Sequence, residues 1–184
     1  MALLESPGYD GLRRRVSLLS LVAVNLLPLL GVLFFNWDVA ALVVLYWSEN
    51  LVLGFFTVIK MLVKAPLAGL GSSLFFSVHY GGFCAVHGLF ILVMLVSGDI
   101  SPFPADPWPA FLVFPQLLLN VSRLVLQQAP PEWLLAFCAL FISHGYSFVT
   151  NFLGRQEYRS RTIGDQMSEP YSRIMFMHLV LIFG

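Results

Sequence analysis

The stretch VAALVVLYWSENLVLGFFTVIKML, residues 39–62, decides the class of this protein. A helix needs about 20 apolar residues to cross the ~30 Å hydrocarbon core of a bilayer. This stretch exceeds that length, and its charged residues are Glu49 and Lys60. Glu49 falls near the middle, where a charge costs about 2.5–3.5 kcal/mol on insertion scales. The group that offsets this cost is therefore the most direct clue to function.

The whole chain has the composition of a membrane protein. Of its 184 residues, 58% are hydrophobic and 11% are charged, and the mean hydropathy is +0.82. Soluble domains carry about 25% charged residues, and a chain this short could not bury so much apolar surface in its own core. No basic block with interleaved aromatic residues occurs, so we exclude nucleic acid as a partner. We expect the lipid bilayer as the partner, with a homo-oligomer as a further option.

Five segments are expected to span the membrane within a single polytopic domain, residues 1–184. They are approximately residues 16–35, 39–62, 73–96, 132–153 and 171–184. The last would be about 21 Å long at 1.5 Å per residue, too short to cross. We therefore expect this helix to continue beyond Gly184 in a longer protein. The predicted fold class is an all-α integral membrane protein.

The segment 109–127 has a different pattern, because Gln116, Asn120, Arg123 and Gln127 share one helical face. Such a helix lies flat in the membrane interface or spans with a polar stripe. If it lies flat and the N-terminus is cytoplasmic, nine of the ten Lys and Arg fall on the cytoplasmic side, as the positive-inside rule requires. These nine are Arg13, Arg14, Arg15, Lys60, Lys64, Arg155, Arg159, Arg161 and Arg173. The sequence thus predicts an external interfacial helix and a multi-pass membrane protein with a cytoplasmic N-terminus.

All four histidines fall within predicted spans, at depths that place them in one central slab with Glu49. Neutral imidazoles together with a carboxylate are good ligands for zinc, iron or copper. A bound cation would also stabilise the ionised form of Glu49. We therefore predict a transition-metal site, with His87, His144 and Glu49 as the first candidates and His178 and His79 as the next.

The leading functional hypothesis is a metal-dependent membrane protein that acts on a lipid or another apolar substrate. Glu49 would be a ligand or the general base that takes a proton from metal-bound water. Whether the protein is an enzyme stays open at this point. One alternative is a proton- or cation-conducting channel or transporter, because intramembrane Glu and His side chains relay protons. Others are a haem-binding subunit that uses His87 with His144, and a structural subunit of a larger complex.

Four motifs carry these polar residues: YWSEN (46–50), HYGGFCAVHG (79–88), SHGYSF (143–148) and EPYSRIMFMH (169–178). Their combination resembles an uncharacterised family of small bacterial polytopic membrane proteins, from about Leu45 to the end of the chain. The resemblance implies a helical membrane fold, a location in the bacterial inner membrane and a last helix that continues well past Gly184. It implies no activity.

Overall fold

The computed structural model describes residues 34, 38–95, 101–103, 105–128, 131–175 and 178. The chain divides into two compact units, residues 1–42 and 43–184. Whether the whole chain is a single domain stays a prediction. The expected span at 16–35 lies outside the described residues except for residue 34, and most of the expected span at 171–184 lies outside them as well.

The described part of the chain contains five α-helices and no strand. They are α1 (Val39–Lys64), α2 (Pro66–Leu95), α3 (Val113–Gln128), α4 (Pro131–Ser147) and α5 (Ile163–Ser168). A 3₁₀ turn at Ala110–Leu112 precedes α3, and α4 continues as a π-helix through Phe148–Gly154. Residues 171–175 and 178 are also helical and are called the C-terminal segment here. The ranges long and apolar enough to cross a membrane are Val39–Lys64, Pro66–Met94, Ala110–Gln128 and Trp133–Gly154. These helices confirm an all-α membrane protein.

Helices α1 and α2 are separated by one residue and run antiparallel. The Trp47 indole Nε1–H donates to the Cys84 carbonyl over 2.8 Å, and the Tyr80 hydroxyl donates to the Asn50 carbonyl over 3.2 Å. A Cβ atom at Gly54 would lie 2.9 Å from Cε1 of Tyr80, so a glycine is required for this approach. The hairpin fixes the middle of α1 against the middle of α2.

Helix α3 packs lengthwise on α2 and runs in the same direction. A Cβ atom at Gly82 would lie 3.4 Å from Cγ of Phe114, and one at Gly88 would lie 2.6 Å from Cγ1 of Val121. Residue numbers thus rise together along the two helices. The connection that follows Leu95 must return along α2 by about 20 Å, at 1.5 Å per residue.

Polar side chains of α3 hold this returning connection in place. The Gln116 side chain accepts a hydrogen bond from the Trp108 amide (2.7 Å) and donates to the Asp106 carbonyl (2.9 Å). Asn120 donates to the Pro102 carbonyl over 3.2 Å. Since proline has no N–H, the prolines of the connection reduce the number of backbone donors that need partners. Two of the four residues that suggested an interfacial helix, Gln116 and Asn120, therefore bind neighbouring backbone.

Helix α4 runs alongside α1 in the same direction. The rings of Phe56 and Phe141 lie 5.2 Å apart, and the Lys64 ammonium donates to the Tyr158 carbonyl over 2.6 Å. The loop after α4 therefore lies at the Lys64 end of α1, where α2 begins. Because α2 leaves this end and α4 returns to it, the segment between them begins and ends at the opposite end of the bundle. This packing favours a re-entrant α3 over one lying flat; the orientation relative to the cell stays a prediction.

Candidate functional site

The carboxylate of Glu49 meets two basic side chains that come from distant parts of the chain. His144 Nε2 lies 3.4 Å from Glu49 Oε1, and an Arg173 guanidinium nitrogen hydrogen-bonds to the same oxygen. The Glu49 side chain is 20% exposed, whereas that of Arg173 is 53% exposed. We call these three residues the Glu49 cluster. Its opposite charges offset the cost of placing a carboxylate within an apolar helix.

Local sequence explains how α4 brings its histidine to α1. Gly145 follows His144, and a Cβ atom at Gly145 would lie 3.4 Å from Cζ of Phe56. A Cβ atom at this distance would make an ordinary van der Waals contact, so the backbone of α4 lies close to the aromatic surface of α1. The imidazole next to this contact then reaches Glu49.

A second group of charges lies toward the Lys64 end of α1. Glu169 is 3.9 Å from the Lys60 ammonium and 3.3 Å from the Arg161 guanidinium. Glu169 precedes Arg173 by one helical turn, and Lys60 follows Glu49 by about 16 Å along α1. Glu49, Arg173, Glu169 and Lys60 therefore form a charged ladder from the middle of α1 toward its end.

His87 and His178 form a second site, which we call the imidazole pair. His87 Nε2 lies 3.1 Å from His178 Nδ1. The other nitrogen of His87, Nδ1, lies 2.7 Å from the carbonyl oxygen of Phe83, four residues earlier on α2. His87 is buried and His178 is exposed, so the pair connects the interior of the bundle with its surface.

His79 occupies a third place. Its Nδ1 lies 2.8 Å from the Tyr171 hydroxyl, and its ring stacks on Phe75 with the centroids 5.2 Å apart. The C-terminal segment thus contributes one residue to each of the three places: Tyr171 here, Arg173 at Glu49 and His178 at His87. A single element therefore links these three places.

The five candidate metal ligands are therefore brought together in part. Glu49 meets His144, His87 meets His178, and His79 lies apart from both. Within the described residues, no group of three or more His, Cys, Asp or Glu side chains is arranged to hold a metal ion. The proposed haem ligands His87 and His144 have different partners. A metal centre and a haem site both stay predictions.

Sequence reasoning missed Arg173 as part of the site, because it was assigned to the cytoplasmic charge bias. A signal was present: Arg173 stands five residues before His178 in an apolar segment, and an arginine within a span commonly pairs with an acidic group. Tyr171 and His178 share a helical face by their spacing, but nothing in the sequence identifies the partner of Tyr171.

Comparisons with known proteins are consistent with the resemblance of the motifs. No curated protein matches the chain, and no solved structure matches it. The model of one family, described as Family of unknown function (DUF6498), matches residues 10–184. The chain belongs to this family of unknown function.

Proposed function

We propose that the protein conducts protons across the membrane through the Glu49 cluster. The observation that carries this proposal is the meeting of the Glu49 carboxylate with His144 and Arg173 in the middle of α1. Ionisable side chains at this depth are costly and commonly mark ion or proton pathways. The three groups come from three separate elements, so the arrangement depends on the fold.

The chemistry of the three side chains suits proton transfer. Glu49 and His144 each have a protonated and a deprotonated form. Their facing atoms are 3.4 Å apart, close to the hydrogen-bond distance over which a proton passes directly. Arginine side chains stay protonated in proteins. Arg173 therefore supplies a constant positive charge that stabilises the Glu49 carboxylate.

The charged ladder supplies a route between the cluster and one end of the bundle. Glu169 lies one turn from Arg173 and pairs with Lys60 near the end of α1. Water that follows these charged groups would connect Glu49 to the solvent, and the Glu169 carboxylate would accept protons along the way. Protons would thus enter along the charged ladder and bind at Glu49 in the middle of α1.

The test is proton flux into liposomes that contain the purified protein and a trapped pH-sensitive dye. A potassium gradient with valinomycin sets the driving voltage. The wild type should acidify the interior faster than protein-free liposomes do. Glu49→Gln and His144→Gln should fall to the protein-free rate, because neither amide exchanges a proton. Glu157→Gln removes the same charge in the loop after α4 and should keep the wild-type rate.

Two results would contradict the proposal. One is a wild-type flux no greater than that of protein-free liposomes at several voltages. The other is a flux that Glu49→Gln leaves unchanged while the variant inserts and elutes like the wild type. A voltage-driven flux of sodium or potassium without protons would assign the same cluster to cation conduction instead.

A metal centre is the second candidate, favoured by one specific observation at the imidazole pair. Two ring nitrogens 3.1 Å apart are close enough to bind the same ion. They would supply two of the four ligands that zinc takes in proteins, and water or substrate would supply the rest. Elemental analysis of protein purified without chelator tests this candidate: it requires about one metal per chain in the wild type and its loss in His87→Gln.

A further inference from the structure

An apolar groove of about 830 Å³ runs along α2, within the size range of sites that bind small molecules. It extends from Leu74 to His87, about 20 Å at 1.5 Å per residue. Its aromatic walls include Phe75 and Phe83 on α2 and Phe114 at the start of α3. We call this the α2 groove.

The polar groups described in the α2 groove are imidazoles. His79, His87 and His178 line it, and its other described lining residues are apolar or glycine. A matching ligand is therefore a long apolar molecule that makes a small number of hydrogen bonds. Several phenylalanines in the walls favour a ligand that also contains an aromatic ring, because ring pairs add to the free energy of burial.

The hydrogen bonds of the imidazole pair indicate which kind of polar group it would take. The Phe83 carbonyl can only accept, so the hydrogen-bond network assigns a proton to His87 Nδ1. In neutral His87 the Nε2 atom is then an acceptor, and it requires the proton of His178 Nδ1. With both rings neutral, the remaining nitrogen of the pair, His178 Nε2, is an acceptor. It would bind a ligand that donates an O–H.

We propose that the α2 groove binds a prenylated quinol, an aromatic ring with hydroxyl groups and a long apolar tail. A quinol hydroxyl donates to His178 Nε2, the ring packs among the phenylalanines, and the tail lies along α2. The oxidised quinone has no O–H to donate, so it binds more weakly. This proposal is independent of proton conduction at Glu49 and uses a different set of side chains.

Binding is measured by calorimetry on the full chain in detergent, with a decyl-tailed benzoquinol under argon and then with its oxidised quinone. We expect saturable binding of one quinol per chain. The quinone should bind about 5–30-fold more weakly, the effect of losing one hydrogen bond. His178→Phe keeps a ring at this position and removes the acceptor, so it should bind both forms equally.

A matched pair of variants tests the location. Val86 lines the groove and is exposed, and Val93 is two turns further along the same face of α2, outside the described lining. Val86→Trp should abolish binding of both forms, whereas Val93→Trp should leave it unchanged. Three outcomes would overturn the proposal: equal binding of quinol and quinone to the wild type, binding that Val86→Trp does not affect, or stoichiometric metal at the imidazole pair without quinol binding.

Discussion

At the scale of single residues, Glu49 shows how a carboxylate is accommodated in an apolar helix. An isolated charge at this depth costs about 2.5–3.5 kcal/mol on insertion scales. Arg173 offsets that cost by its fixed positive charge, and His144 adds a second partner. The charges of Glu49 and Arg173 cancel, and the proposed function requires that the cluster also exchanges a proton.

Gly88 lies at a position where the packing leaves no room for a side chain. A Cβ atom there would lie 2.6 Å from Val121 Cγ1 and 2.7 Å from the Trp47 indole, where α1, α2 and α3 meet. Gly88→Ala should therefore lower the free energy of unfolding by about 1–3 kcal/mol, because the added methyl group overpacks this site. Gly71→Ala on the same helix meets nothing within 4 Å and should be neutral or slightly stabilising.

Differential scanning fluorimetry in detergent compares the two alanine variants. We expect a lower melting temperature for Gly88→Ala than for the wild type and no decrease for Gly71→Ala. Equal melting temperatures for the two variants would contradict the described packing of the three helices.

The sequence singled out Glu49 and the four histidines, because they are polar residues in apolar runs. It could not pair them. The pairing depends on which faces of the helices contact each other. Helical periodicity identifies the faces of each helix, but not which faces of two distant helices pack together. Depth alone placed His87 with His144, whereas the contacts place His87 with His178 and His144 with Glu49.

At the scale of elements, α3 is the instructive case. Its polar residues were correctly placed on one face from their spacing, and that spacing suggested water or headgroups as their environment. Gln116 and Asn120 bind the backbone of the preceding connection instead. A side-chain amide satisfies a backbone group as well as water does, and sequence periodicity does not distinguish the two partners.

Gln116→Ala should release the connection from α3. The Trp108 amide and the Asp106 carbonyl would lose their hydrogen-bond partner. If these groups stay away from water, the free energy of unfolding should fall by about 1–3 kcal/mol. Hydrogen–deuterium exchange should show faster exchange at Trp108. Gln127→Ala, at an exposed position on the same helix, serves as the control. If both variants exchange at the wild-type rate, Gln116 does not hold the connection.

Helix α5 depends on a capping box that responds to pH. The Thr162 hydroxyl accepts from the Asp165 amide, and the Asp165 carboxylate accepts from the Thr162 amide. The hydrogen bond from the Thr162 side chain, and then that from its backbone, lower the pKa of Asp165. Because the folded-state pKa is depressed, the cap contributes stability above the unfolded pKa and loses it as pH falls through the folded pKa.

We therefore expect faster amide exchange in residues 163–168 once the pH falls below the folded-state pKa of Asp165. The measured rates are first corrected for the intrinsic exchange rate at each pH. Asp165→Asn should have no such transition, since an amide does not titrate. The same transition in Asp165→Asn would mean that another group is responsible.

At the scale of the whole molecule, the distribution of charge and the packing of the helices indicate the same topology. The distribution of Lys and Arg along the sequence disfavoured a crossing at 109–127. The contacts place the start and end of the α2–α4 connection at the same end of the bundle, opposite Lys64 and Tyr158. Hydropathy alone does not separate the possibilities, because Ala110–Gln128 is long and apolar enough to cross.

Cysteine labelling tests this arrangement in a chain that lacks Cys138, which is exposed, and keeps Cys84, which is buried. Ser101→Cys and Gln128→Cys lie before and after α3, and both should react with an impermeant maleimide from the same side of the membrane. Ser160→Cys, in the loop after α4, should react from the other side. Labelling of Ser101→Cys and Gln128→Cys from opposite sides would mean that α3 crosses the membrane.

The most direct test of the account is the proton flux of Glu49→Gln beside that of Glu157→Gln, in liposomes with equal amounts of inserted protein. The two variants lose the same charge, one inside the bundle and one in the loop after α4. The account predicts that Glu157→Gln conducts protons like the wild type and that Glu49→Gln conducts no faster than protein-free liposomes. Equal fluxes in the two variants would contradict it.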